Sequence, residues 1–163
     1  MRHGPAEDHA ASGRDEDRAL TSSGRDRVRS VALVLVDAGE APVWIVSSPL
    51  VRALQTAEIV AAVTKLPSRG GTVDARRELA PGGDGAALVR SLHREGKKRL
   101  LIVGHEPDLS SLIMRLVGEP SPVPMEKAMI VGLSAKSGAT ALRFVLDPKA
   151  LEFTIDLRDH PPA

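Results

Sequence analysis

The stretch "PVWIVSSPLVRALQTAEIVAAVTKL", residues 42–66, decides the fold. Its first seven residues are largely apolar and β-branched and end in two serines, which reads as a short buried strand over 42–48. A helix follows at once. Ser48 is placed to cap it, Pro49 suits its first position, and Leu50, Leu54, Ala57 and Ala61 form its apolar stripe. The pattern recurs at "KRLLIVG" (98–104), a second buried strand. The segment "PDLSSLIMRLVG" (107–118) then reads as a helix with Leu109, Leu112, Ile113 and Leu116 on its inner face and Gly118 as its stop.

Working outward, "TSSGRDRVRSVALVLVDAG" (21–39) is helical. Thr21 is its cap, Val28, Val31, Ala32 and Leu35 its buried stripe, and Gly39 its end. Residues 5–20 are polar and charged and read as a surface loop. Residues 68–85 are a glycine-rich loop, followed by a short helix with Leu88 and Leu92 on one face and Gly96 at its close. "AMIVGLSA" (128–135) and "TALRFVLD" (140–147) are two strands joined by a hairpin at "KSG" (136–138). "LEFTIDL" (151–157) alternates strictly, as an edge strand does. Strands alternating with helices predict one α/β domain over 1–163: a three-layer α/β/α sandwich with a mostly parallel central sheet.

Composition narrows the function. The 22 basic and 21 acidic residues leave a net charge of +1, which gives no warrant for a nucleic-acid or polyanion-binding surface, so any anion site is local and no nucleic-acid partner is expected. There is no cysteine, so disulfides, thiolate nucleophiles and cysteine-held metals are excluded. That absence fits a cytoplasmic protein. No membrane span or signal-peptide core is present. The five histidines form no close pair in the sequence, and no metal or other cofactor is expected. No exposed apolar stripe stands out, which predicts a monomer.

Ligands of parallel α/β sheets bind beyond the carboxyl ends of the strands. Arg52 follows the first strand and His105 the second, each at a helix N-terminus whose free N–H groups and dipole favour an anion. An arginine at that end of a helix is mildly unfavourable to the dipole, which itself points to an anionic ligand. A third segment, "RHG" (2–4), supplies a guanidinium that can grip two phosphate oxygens, an imidazole that can attack phosphorus, and a glycine that lets the backbone pass close. Taken alone, His3 reads as a terminal surface histidine and Arg18 as part of a solvated charge run, "GRDEDR". Glu106 reads as a cap for the helix that follows it. His9, His93 and His160 read as surface residues.

The set "RHG" (2–4), "RALT" (18–21), "SSPLVRALQTAEIV" (47–60) and "VGHEPDLS" (103–110) resembles the histidine phosphatase superfamily, and within it the small SixA-type branch. "LRFVLDPKAL" (142–151) resembles the tail of that branch. The resemblance covers most of residues 2–151 and implies a phosphoglycerate-mutase-like fold. It implies that His3 attacks phosphorus, that Arg2 and Arg52 clamp the phosphoryl oxygens, and that Arg18 is a secondary substrate contact. It also implies that His105 donates a hydrogen bond while protonated or nearly so.

Two features depart from the family pattern. Many relatives that cleave esters carry an acidic proton donor in the loop that reads "RRELAPGGDG" (76–85) here. In this register Pro81 fills that position, and neither Glu78 nor Asp84 is assigned the role. A missing acid favours an N–P substrate, because imidazole leaves more readily than an alkoxide. Relatives also place an apolar strand before Arg-His-Gly. Met1 is therefore expected not to be the biological start, with residues 151–157 filling the central position as the alternative.

The leading expectation is a metal-independent phosphatase that works through a phosphohistidine intermediate and takes phosphate from phosphohistidine on a protein, such as a phosphotransfer domain. The alternatives are a small-molecule phosphomonoesterase and a non-catalytic phosphate- or phosphoprotein-binding module.

Overall fold

The structure is a computed structural model that describes residues 1–136 and 139–158. Its main elements are α1 (Ser22–Asp37), β1 (Trp44–Ser47), α2 (Val51–Val63), β2 (Val73–Ala75), α3 (Gly85–Arg94), β3 (Leu100–Val103), α4 (Asp108–Val117), β4 (Ile130–Lys136), β5 (Ala139–Asp147) and β6 (Glu152–Asp156). Strands β2, β1 and β3 lie side by side in parallel, with Trp44 opposite Leu100 and Ser47 opposite Val103. Strands β4, β5 and β6 form an antiparallel meander.

Alternation along the strands builds the three layers. Ile45, Leu101 and Val103 pack with Val28, Val31 and Leu35 of α1 and Ala53, Ala57 and Val60 of α2. Their neighbours Val46, Leu100 and Ile102 face the opposite way, toward Leu88 and Leu92 of α3 and Leu109 and Leu112 of α4. This is the three-layer α/β architecture that the sequence predicts, with a parallel half and an antiparallel half.

Met1–His3 joins the two halves. On one side His3 donates its N–H to Gly104 O (3.1 Å), and Gly104 donates back to Met1 O (3.2 Å). On the other, Arg2 donates to Met129 O (3.1 Å). Ala128 N–H lies between the carbonyls of Arg2 (3.2 Å) and His3 (3.1 Å). Residues 151–157 do not take this central position. β6 pairs only with β5, at the sheet edge, where its half-exposed alternation belongs.

Three local expectations are corrected. The glycine-rich loop 68–85 contains β2, whose three residues and single large apolar side chain carry no periodic signal. The glycine at its far end is the first residue of α3, capped by Asp84. Helix α2 starts at Val51 with Leu50 as N-cap, so Ser48 and Pro49 lie before it. Its buried face is Ala53, Thr56, Ala57, Val60 and Ala61, with Leu50 and Leu54 at the margin, because small residues bring α2 close to α1 and the sheet. The turn expected at 136–138 includes Ser137 and Gly138, which lie outside the described residues, as does His160.

The N-terminal turn of α1 presses on Pro5. A Cβ on the buried Gly24 would run into the Pro5 carbonyl, which is backbone and cannot swing aside. Alanine is intrinsically the better helix former by about 1 kcal/mol, yet Gly24→Ala is expected to destabilise the fold by about 1–3 kcal/mol, as overpacking does. Thermal unfolding checks this, and a raised Tm would contradict it.

Candidate active site

Beyond the ends of β1 and β3 the five singled-out residues come together in one cluster. His3 and His105 are both buried, with ring centroids 5.1 Å apart. Arg52, in the first turn of α2, has a side chain only 6% exposed. Arg2 reaches across to donate to Met125 O (2.7 Å). Arg18 lies at the mouth, 25% exposed, with Nε 2.9 Å from Asp15 Oδ1. That pair is close but not aligned for a hydrogen bond, so we treat it as an ion pair only.

The "RALQTA" motif explains how the pocket is held. Thr56 Oγ1 accepts the Gly4 N–H (3.0 Å) and donates to Arg52 O (2.7 Å), which ties the turn after His3 to the helix that carries Arg52. Gln55 Oε1 accepts the Leu20 N–H (2.7 Å) and so anchors the far end of the 5–20 loop. Within that loop a short 3-10 turn, Asp15–Asp17, presents Asp15. Arg52 donates to its backbone carbonyl (2.8 Å) and to its carboxylate (3.0 Å). The run "GRDEDR" is therefore part of the site's wall rather than a wholly solvated charge run. Asp15, Thr56 and Gln55 are site-building residues to which the sequence reading gave no role, and Ser48, read there as a helix cap, is a fourth. Glu106 caps α4 as expected, accepting the Ser110 N–H at 3.1 Å. His9 and His93 are exposed.

Hydrogen-bond accounting defines what the pocket can hold. Among the described residues, the buried side-chain nitrogens and oxygens with no hydrogen-bond partner are Arg2 Nε, Arg18 Nε, Arg52 Nε and His105 Nδ1. Buried polar groups are normally satisfied, and here all the exceptions belong to one cluster that also carries three guanidinium charges. Its complement is an anion with several acceptor oxygens.

The state of His3 follows from its partner. Nδ1 is 2.7 Å from Gly4 O, and a carbonyl can only accept, so Nδ1 carries the proton and Nε2 keeps its lone pair. Burial, followed by the nearby His105, Arg52 and Arg2, lowers its pKa to about 4. For His105, burial and then Arg52 are the leading causes, and its pKa also falls to about 4. The expected protonated or nearly protonated His105 is thus corrected for the free site: three guanidinium groups in a buried pocket favour a neutral ring. A nearby anion acts in the opposite direction and favours the charged ring.

A cavity of about 160 Å³ adjoins His105 and is lined by Glu78, Gly82, Gly83, Asp108 and Arg115, among others. Glu78 is held below the usual carboxylate range by its own backbone amide and Arg76. Asp84 caps α3 and pairs with Arg115, which lowers its pKa as well. Neither carboxylate holds a proton at neutral pH. Among the described residues no group of three or more His, Asp or Glu side chains could hold a metal ion.

The two histidines make stability depend on pH. The ordinary histidine value is 6.5, and the folded values lie near 4. Between these the unfolded chain binds more protons, so the contribution is complete above about pH 6.5 and is lost as pH falls toward 4. Denaturant unfolding at pH 7.5 and pH 5 is expected to show lower stability at pH 5, with the difference reduced in His105→Gln. Equal stability at the two pH values would contradict the neutral-ring assignment.

Residues 1–79 match the sequence model of the histidine phosphatase superfamily (branch 1). The chain is 32% identical over 152 residues to phosphohistidine phosphatase SixA of Escherichia coli (strain K12), covering 91% of each chain. It is 37% identical over 148 residues to an uncharacterized protein of Picosynechococcus sp., covering 88% of this chain and 86% of that one. A structure of the protein histidine phosphatase SixA complexed with tungstate superposes with a TM-score of 0.83 at 30% identity, covering 93% of this chain and 97% of the other. With the pocket at the strand ends and these likenesses together, the chain belongs to the histidine phosphatase superfamily and is of the SixA type.

Proposed function

We propose that this phosphatase removes phosphate from phosphohistidine presented on a protein, with His3 as nucleophile. The observation that carries the reading is the set of buried nitrogens without a hydrogen-bond partner, Arg2 Nε, Arg18 Nε, Arg52 Nε and His105 Nδ1, beside the Nε2 lone pair of His3. The lone pair of Nε2 attacks phosphorus while the P–N bond of the substrate breaks. The departing ring takes that electron pair and leaves as neutral imidazole, having been protonated on its other nitrogen beforehand. Water then attacks the phosphoryl group on His3. Phosphate leaves with the new oxygen, the water's proton passes to solvent, and Nε2 recovers its electrons. Arg2 and Arg52 neutralise the charge on the equatorial oxygens throughout, Arg18 meets the substrate at the mouth, and His105 donates a further hydrogen bond.

Three further observations support this substrate class. Neither Glu78 nor Asp84 carries a proton for an alkoxide leaving group. The adjoining cavity, at about 160 Å³, is smaller than the roughly 300–1,000 Å³ of sites that enclose small molecules. The relative from E. coli is a phosphohistidine phosphatase. One observation favours a phosphomonoesterase as second reading: Glu78 does line the cavity beside His105. In both readings catalysis needs no metal.

Phosphate release from a phosphohistidine-labelled phosphotransfer protein and from p-nitrophenyl phosphate, both in EDTA, tests the proposal. Preferential turnover of phosphohistidine is expected, abolished in His3→Ala and reduced about 10²–10³-fold in Arg52→Ala, the scale for one lost oxyanion donor. Faster ester hydrolysis would favour the second reading. Binding of inorganic phosphate without turnover would leave a binding module.

A further inference from the structure

Ser48 is the last residue before the Pro49-Leu50 entry to α2, and it is fully buried. Its N–H donates to Val103 O (2.9 Å), which fixes it beside the end of β3. Its hydroxyl oxygen is 3.3 Å from Leu50 N, which can only donate to it, and 2.8 Å from His105 Nε2. Two arrangements satisfy those distances. If Nε2 carries the ring proton, the hydroxyl accepts twice, its own proton has no acceptor among the hydrogen bonds of the described residues, and the Nδ1 lone pair is also unpaired. If Nδ1 carries the proton, the hydroxyl donates to Nε2, and a single group, Nδ1–H, is left without a protein partner. A hydroxyl has one proton to give and two lone pairs with which to accept, so the second arrangement leaves one buried polar group unsatisfied rather than two.

We infer that Ser48 is a positioning residue that locks His105 in the Nδ1–H tautomer, so that the neutral ring meets an incoming phosphoryl oxygen with a hydrogen rather than a lone pair. The consequence for catalysis rests on the reading of this pocket as a phosphoryl site, whereas the tautomer does not. Ser48 touches His105 and the backbone of Leu50, and its effect passes through the ring. A lone pair at Nδ1 would repel the oxygen that Arg2 and Arg52 attract. The Nδ1–H ring adds a donor to theirs, and the charge of the dianion then favours a second proton on the same ring.

Long-range proton–nitrogen correlation spectra of the full chain labelled with ¹⁵N-histidine, recorded near pH 7 without phosphate, read the tautomer directly. A protonated Nδ1 and an unprotonated Nε2 at His105 are expected, and the reverse pattern would overturn the inference even if the enzyme is active. In Ser48→Ala the two tautomers are expected to mix. The kcat for phosphohistidine is expected to fall tenfold or more, the scale of losing a partner that orients a histidine, and Ser48→Thr is expected to restore both. A Ser48→Ala protein with the wild-type spectrum and rate would also overturn it. If Ser48→Ala does not fold, the wild-type spectrum still decides. A correct tautomer with no turnover of any phosphorylated substrate would instead overturn the proposed function.

Discussion

The shared hydrogen-bond ladder around Arg2, His3 and Gly4 sets the position of everything else in the site. Gly104 on one side and Ala128 and Met129 on the other bind this backbone from both edges, and Thr56 takes the Gly4 N–H from the layer above. Ala128 adopts a left-handed backbone (φ 70°) to bring its N–H between two carbonyls. That conformation is strained for a residue with a side chain and persists where surrounding contacts over-determine it. Met1, Arg2 and His3 join the parallel and antiparallel halves of the structure. Placing His3, the proposed nucleophile, and holding the sheet together are therefore one task, and the Gly4 carbonyl that accepts the His3 Nδ1–H hydrogen bond follows directly on that ladder.

Charge is handled by the same economy of parts. Three arginines stand close to two imidazoles, and burial together with the arginines keeps both rings neutral. For His3 this is what nucleophilic attack needs. Asp15 is the site's own counter-ion. Its backbone and carboxylate orient Arg52, while the carboxylate also lies against Arg18. Because that carboxylate is 64% exposed, its attraction is weakened by solvent, and a phosphoryl dianion can compete for the same cations. The closed ion-pair network and the open phosphate site are thus two uses of one set of donors.

Much of this was legible in the sequence. The two strands that carry the site, and the helices after them, are strongly periodic, and their buried residues follow from spacing. His3, Arg52 and His105 could be singled out because each is a reactive or charged side chain beside a strand end or a glycine. What was not legible has physical reasons. β2 is too short to show a period. The start of α2 moved because the Ser48 hydroxyl is engaged with His105 and with the N–H of Leu50, the N-cap, and does not reach the helix's own first N–H groups. Asp15 lies in a charge run whose residues look alike, and the anchoring of Leu20 by Gln55 and the bonds from Arg52, both distant in sequence, bring that run to the site. The protonation of His105 depends on its burial and on three arginines that are far apart in sequence, so no local reading could give it.

The central claim is that His3 Nε2 carries the phosphoryl group. Rapid mixing with a ³²P-labelled phosphohistidine protein, quenching in alkali and mapping of the label by peptide mass spectrometry tests it most directly. The account predicts a transient, acid-labile phosphoryl group on His3, formed no more slowly than phosphate is released. Phosphate released with no label on the enzyme, or with the label on another residue, would contradict it.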